Sequence, residues 1–222
     1  MKRIILFALC LLLGILALTG CSGNSEPFYE KDYTADGGEI KEVHIDVRDR
    51  CIEVALSEDN NIHIQYAENT KEYYNISVSD NVLTMKAESS KDWTDYVGGK
   101  GGPGSRTILL QLPDGLLSVL NLSTTNEDIS IASATVTGDV SLFSNGGNIT
   151  FENLNVGNTI TLDVKNGDIS GSIIGSYDDY SILCTIKKGE CNLPTGKQNG
   201  KKTLNVSANN GDVAVEFVSE SQ

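Results

Sequence analysis

The chain has 222 residues, of which 39% are hydrophobic and 21% charged, with 30 acidic against 17 basic side chains and a formal charge of −13. This is enough apolar chain for one ordinary globular unit and too much for a disordered tail, while 22 glycines without a three-residue period exclude collagen. With no basic window in the sequence, nucleic acid is not an expected partner, because phosphate binding needs a basic face.

Residues 1–20 read as an export signal. Met1, Lys2 and Arg3 supply a positive start, Ile4 to Leu18 run apolar, and Leu18-Thr19-Gly20-Cys21 ends the segment. That ending resembles the lipobox of bacterial lipoproteins. The resemblance implies cleavage before Cys21 and a diacylglycerol-type anchor on its thiol, with palmitate-like acyl chains holding the protein on the membrane, outside the cytoplasm. Cleavage removes two basic groups, Lys2 and Arg3, leaving 15 basic against 30 acidic side chains, a net charge of about −15. A surface so acidic is repelled by anionic lipid. Residues 21–38, polar and containing Gly23 and Pro27, are therefore expected to form the lipidated amino terminus and a tether that stands the domain off the bilayer.

Beyond the signal and anchor, Cys51, Cys184 and Cys191 remain. Their odd number and irregular spacing do not make a disulfide framework, and Cys184 and Cys191 fall on apolar strand positions where a free cysteine behaves as a small hydrophobe. Two histidines, His44 and His63, are too few for a Cys/His zinc site.

The amino-terminal part reads as a capping region. Val43 to Val47 alternates, and Ile52 follows nine places after Val43, a degraded copy of the block found further on. Ile62–Tyr66, Tyr74–Val78 and Val82–Met85 are strand-like, with Asp80-Asn81 as a hairpin turn. Lys91 to Arg106 breaks the pattern and reads as a mobile insertion between strands. Its glycines lack the Gly-Lys-Ser/Thr ending of a phosphate loop. With the sole tryptophan, Trp93, and Tyr96, this insertion is the expected partner-contact loop.

From Leu120 a block recurs. Leu120–Ile129, Val140–Ile149, Ile160–Ile169, Ile182–Cys191 and Leu204–Val213 share an apolar leader, a second apolar residue two places on and a polar turn. An Asp, Asn or Glu stands at the ninth place and an apolar residue at the tenth. Period-two alternation within each block marks half-buried strands, and no stretch past residue 21 carries helical spacing. Hairpins of a sandwich or propeller and coils of a β-solenoid both fit the alternation, and Asn166-Gly167 and Asn210-Gly211 are residues that a tight hairpin turn prefers. The recurrence of one side-chain class at one phase favours stacked coils. Leu122, Leu142, Leu162, Cys184 and Val206 then form one interior row, and Ile129, Ile149, Ile169, Cys191 and Val213 another.

The acidic position, Asp128, Asn148, Asp168, Glu190 and Asp212, invites a calcium reading. Calcium-binding β-rolls use a nine-residue period, so these residues are expected to bond their own turn backbones instead. No cofactor or metal is expected. No Gly-x-Ser-x-Gly elbow is present, and the carboxylates are spread over turns. A polysaccharide-active enzyme, the second alternative, would need two of them converging on a groove.

These blocks, led in by Leu112-Pro113-Asp114-Gly115, resemble the bacterial "putative adhesin" family of β-strand-repeat domains. The resemblance spans residues 39–218, clearest over 107–217. It implies an all-β fold, here a single-stranded β-helix-like solenoid of 20–22-residue coils with an irregular β-rich cap. It also implies a cell-envelope setting without assigned catalytic chemistry. The expected function is a membrane-anchored, non-catalytic scaffold for adhesion or binding of an envelope polymer or protein. The alternative is an accessory protein for sensing envelope stress or cationic peptides.

Overall fold

The computed structural model describes residues 26–91 and 103–219. In chain order the strands are β1 (Tyr29–Asp36), β2 (Glu42–Asp46), β3 (Cys51–Leu56), β4 (Asn61–Glu68), β5 (Glu72–Ser79), β6 (Val82–Ser89), β7 (Thr107–Leu112), β8 (Val119–Thr124) and β9 (Ile129–Ile131). They continue as β10 (Ala134–Val136), β11 (Asp139–Ser144), β12 (Ile149–Val156), β13 (Thr159–Asn166), β14 (Ile169–Ile174), β15 (Tyr180–Lys188), β16 (Gly196–Lys197), β17 (Lys202–Asn210) and β18 (Val213–Val218). Short 3-10 turns cover Pro103–Arg106 and Tyr177–Asp179. No α-helix occurs among the described residues.

The strands form two nine-stranded sheets whose inward side chains share one apolar core. Each repeat block starts in one sheet, turns at its polar corner, and ends in the other. Asn166-Gly167 thus links β13 to β14 across the core and makes no hairpin. Equivalent strands of different blocks pair parallel and in register. Leu122, Leu142, Leu162, Val206 and Cys184 form one continuous inward row, and Ile129, Ile149, Ile169, Val213 and Cys191 the other. The two rows foreseen from the sequence are therefore present, and the architecture is all-β and solenoid-like.

The order of levels differs from the chain order. β17 lies between β13 and β15, so the last block is inserted between the third and fourth, and Cys184 sits at the outer end of its row. The connection from β14 to β15 passes the place that β17 occupies. It contains the turn Tyr177–Asp179, capped by Ser176, which accepts from the Asp178 N–H while the Ser176 N–H donates to Asp179. Beyond β15, the two-residue β16 pairs antiparallel and closes that end of the sheet.

The amino-terminal end is built likewise. Val43 and Ile45 continue the row of Leu120 and Leu122, and Ile52 continues that of Ile129, so the degraded copy is a true level. A further level, β6 with β7, lies outside it: Leu83 and Met85 pair beside Val43 and Ile45, and Ile108 beside Ile52. Seven levels are stacked rather than five, roughly 29 Å from first to last at about 4.8 Å per step. Antiparallel β4 and β5 cover the end, and β1 pairs along β4. Asp80 and Asn81, both at positive φ, make the β5–β6 hairpin turn. Residues 29–36, within the segment read as tether, are strand β1, because Tyr33 and Ala35 pack against the core.

A buried ion pair fastens this cap. Arg50 is 4% exposed; its Nε donates to Tyr74 Oη at 2.7 Å, its Nη2 to Glu72 Oε2 at 2.9 Å and its Nη1 to the Asp49 carbonyl. Burial alone would raise the Glu72 carboxyl. Hydrogen bonds and charge from Lys91 and Arg50 outweigh it and hold the group below its ordinary range.

Candidate functional site

Period-two alternation that fills the core also fixes what each sheet shows to solvent. On the sheet that runs from β5 to β16, one outward row reads Thr84, His44, Asn121, Ser141, Thr161, Asn205 and Leu183, one residue per level. Beside it run Asp46, Ser123, Phe143, Asp163, Ser207 and Thr185. The face is dominated by short hydroxyl and amide side chains, each able to donate and accept, at the strand spacing of about 4.8 Å. His44 is fixed within it, Nε2 at 3.0 Å from Glu42 Oε2 and Nδ1 at 3.1 Å from Asn121 Nδ2. A shallow cleft of about 240 Å³ opens on this face among Thr161, Asp163, Leu183, Thr185, Asn205 and Ser207. Leu183, 57% exposed, gives it an apolar wall. The open geometry suits a long, repeating partner better than an enclosed small molecule.

A second cleft, about 390 Å³, lies at the cap and is acidic, lined by Asp32, Thr34, Glu58, Asp59, His63 and Gln111. His63 Nε2 is 3.0 Å from Asp59 Oδ1, and its Nδ1 is 3.2 Å from Thr34 Oγ1. The Asn61 backbone N–H, then His63, the Asn61 amide and Ser57 hold the Asp59 carboxyl well below the usual carboxylate range. Asp59 is thus a firm anion and a poor proton donor, which does not suit the general acid of a glycosidase.

The acidic corner positions have a third role. Asp128 Oδ1 accepts from the Asn148 N–H at 2.7 Å, Asn148 Oδ1 from Asp168 at 2.9 Å, Asp168 Oδ1 from Asp212 at 2.8 Å, and Asp212 Oδ1 from Glu190 at 2.8 Å. Each side chain bonds the backbone of the next level, not its own turn as the sequence reading had it. Asn148 serves as well as the aspartates, so the ladder requires an acceptor oxygen and not a charge. The glycine that precedes the acceptor at every corner except Asp128 allows the levels to close: a Cβ on Gly167 would strike the Gly147 carbonyl, and one on Gly211 the Gly167 carbonyl. Among the described residues, no three His, Cys, Asp or Glu side chains are grouped as a metal site requires.

Cys21, Trp93 and Tyr96, the sites foreseen from the sequence, lie outside the described residues. Both polar features, the hydroxyl-amide face and the acidic cleft, escaped the sequence reading. The face was traceable as the polar halves of the same alternating strands; the cleft depends on β1 pairing with β4. Cys184 and Cys191 prove to be neighbours, Sγ to Sγ 3.0 Å, and burial, followed by the contact with Cys191, pushes the Cys184 thiol up to about 12. Burial, reinforced by Glu53, raises the Cys51 thiol to about 11.

This geometry defines a parallel-stacked, solenoid-like repeat protein that carries flat polar faces. The chain belongs to the Toastrack DUF4097 family, which matches residues 40–172. A crystal structure from Clostridium sporogenes, described as a "putative cell adhesion protein", is similar over 86% of this chain and 100% of its own, with a TM-score of 0.56 and 10% identity. One from Bacteroides fragilis, described as a "putative adhesin", is aligned over 87% and 98%, with 14% identity and a TM-score of 0.35. At such identities the first speaks for the fold alone. No curated protein matches the chain.

Proposed function

We propose that this protein is a lipid-anchored component of the cell envelope whose stacked β-repeat, in form a single-stranded β-helix-like solenoid, acts as a non-catalytic scaffold for binding an envelope polymer. The observation that carries this reading is the hydroxyl-amide face. A polymer that itself repeats can engage several levels at once, so that individually weak contacts multiply. Anchoring rests on Leu18 to Cys21, and the tether is the stretch between Cys21 and β1. The name of the Clostridium sporogenes structure agrees with an adhesive role.

Fractionation of cells carrying the native chain, followed by recovery of bound envelope material, tests the proposal. The expected result is membrane-bound, acylated protein that co-purifies with polymer, while Cys21→Ala is released or left uncleaved. Persistence of acylated Cys21→Ala protein, or recovery of no polymer or protein under several growth conditions, contradicts it.

The acidic cleft favours a second reading, in which the domain senses cationic peptides. Asp32, Glu58 and Asp59 gather negative charge in one concavity on a chain that is already strongly acidic. Peptide binding must then weaken steeply with salt and with Asp59→Asn; absent or salt-insensitive binding dismisses it.

A further inference from the structure

We propose that Cys184 and Cys191 form a disulfide that staples the outer level of the stack, the one that contains β15. The two residues occupy the core positions flanking one corner of the outermost level, beside Val206 and Val213 of the level beneath. Their sulfurs, 3.0 Å apart, have about 1 Å to close to the 2.03–2.05 Å of a bonded pair. The same corner positions hold apolar side chains in the levels starting at Leu120, Val140, Ile160 and Leu204; this level alone among them carries sulfur in both rows.

The terminal level is where a covalent tie has something to hold. In one sheet β15 is flanked by β17 and by the two residues of β16. In the other, residues 190–192 meet β18 through the isolated bridge of Cys191 to Val213 and the hydrogen bonds of Asn192 with Val213 and Val215, without a full strand ladder. A disulfide supplies the restraint that this missing ladder does not, and it keeps the level from fraying into an open edge to which another strand could add. Cys191 is half-buried and meets the oxidant first; Cys184, 5% exposed, resolves the intermediate.

The oxidant is a thiol-exchanging disulfide, either a small-molecule disulfide or the disulfide of an oxidoreductase. The Cys191 thiolate attacks one of its sulfurs and releases the other as thiolate. The Cys184 thiolate then attacks Cys191 Sγ in the mixed disulfide and releases the second. Two thiol protons leave the protein, and the oxidant is reduced to two thiols.

Differential alkylation of the full chain, incubated with oxidised glutathione, blocked in denaturant, then reduced and labelled with a second reagent, reads the bond directly. The expected result is second label on Cys184 and Cys191 and first label on Cys51. Oxidised protein should melt about 5–10 °C above the reduced form, and Cys184→Ser and Cys191→Ser should each abolish that difference. First label on both Cys184 and Cys191 overturns the proposal. The alkylation result on the unmutated chain decides the matter even if a variant fails to fold, and it does not depend on export or on polymer binding.

Discussion

Leu162 pairs in register with Val206, and Cys184 lies on the far side of Val206, so the last repeat of the chain is held between two earlier ones. The level formed by β17 and β18 is consequently an inner one. A chain ended at Gly200 loses β17 and β18 and deprives β13, β14 and β15 each of one neighbouring strand. It is expected to lose its cooperative thermal transition by circular dichroism. A truncated chain that melts cooperatively near the parent temperature would contradict the insertion.

The inward rows set the scale of core substitutions. Leu162 is fully buried between Leu142 and Val206. Leu162→Asp places an unpaired carboxylate there and should cost more than about 4 kcal/mol, enough to abolish the folded state. Unchanged thermal melting would refute the row assignment.

At the corners, acceptor and glycine should separate. Asp168→Ala leaves the Asp212 N–H without its side-chain partner at a solvent-accessible edge, costing about 1 kcal/mol, and Asp168→Asn should restore the loss. Gly211→Ala drives a methyl into the Gly167 carbonyl and should cost roughly 3 kcal/mol. Denaturant midpoints of the three variants check the order; an Asp168→Ala loss exceeding that of Gly211→Ala would reverse it.

The ion pair of the cap predicts an acid limb. The Glu72 carboxyl is held below its unfolded value, so its contribution is fully present above the ordinary carboxylate range and is lost as pH falls through the depressed value. Glu72→Gln should therefore lower the melting temperature at neutral pH and flatten its decline below about pH 4.5. Parallel pH profiles for the two proteins would show that Glu72 is not the group responsible.

Much of this architecture is legible in the residues themselves. Leu142, Leu162 and Val206 announce a row because stacked levels require the same side-chain class at the same phase. The insertion of the last level is not legible, since the blocks starting at Ile182 and Leu204 carry the same pattern and either fits beside Ile160. What separates them is the detour through Ser176 and Tyr177–Asp179 and the return through β16, a matter of connection geometry rather than periodicity. The level formed by β6 and β7 is hidden for a similar reason: Met85 and Ile108 are separated in the chain by the Lys91–Arg106 segment. The acidic cleft depends on β1, whose Tyr33 and Ala35 form too short an alternation to stand out from a polar leader.

On the proposed function, the hydroxyl-amide face holds an envelope polymer. Co-sedimentation of the purified chain with insoluble envelope polysaccharide, compared with Thr161→Arg/Asn205→Arg, measures it most directly. Both side chains point outward, so the variant should keep its melting temperature. Saturable binding by the parent and a loss of tenfold or more in the variant are the predicted result; equal binding by the two, or none by the parent, would contradict it.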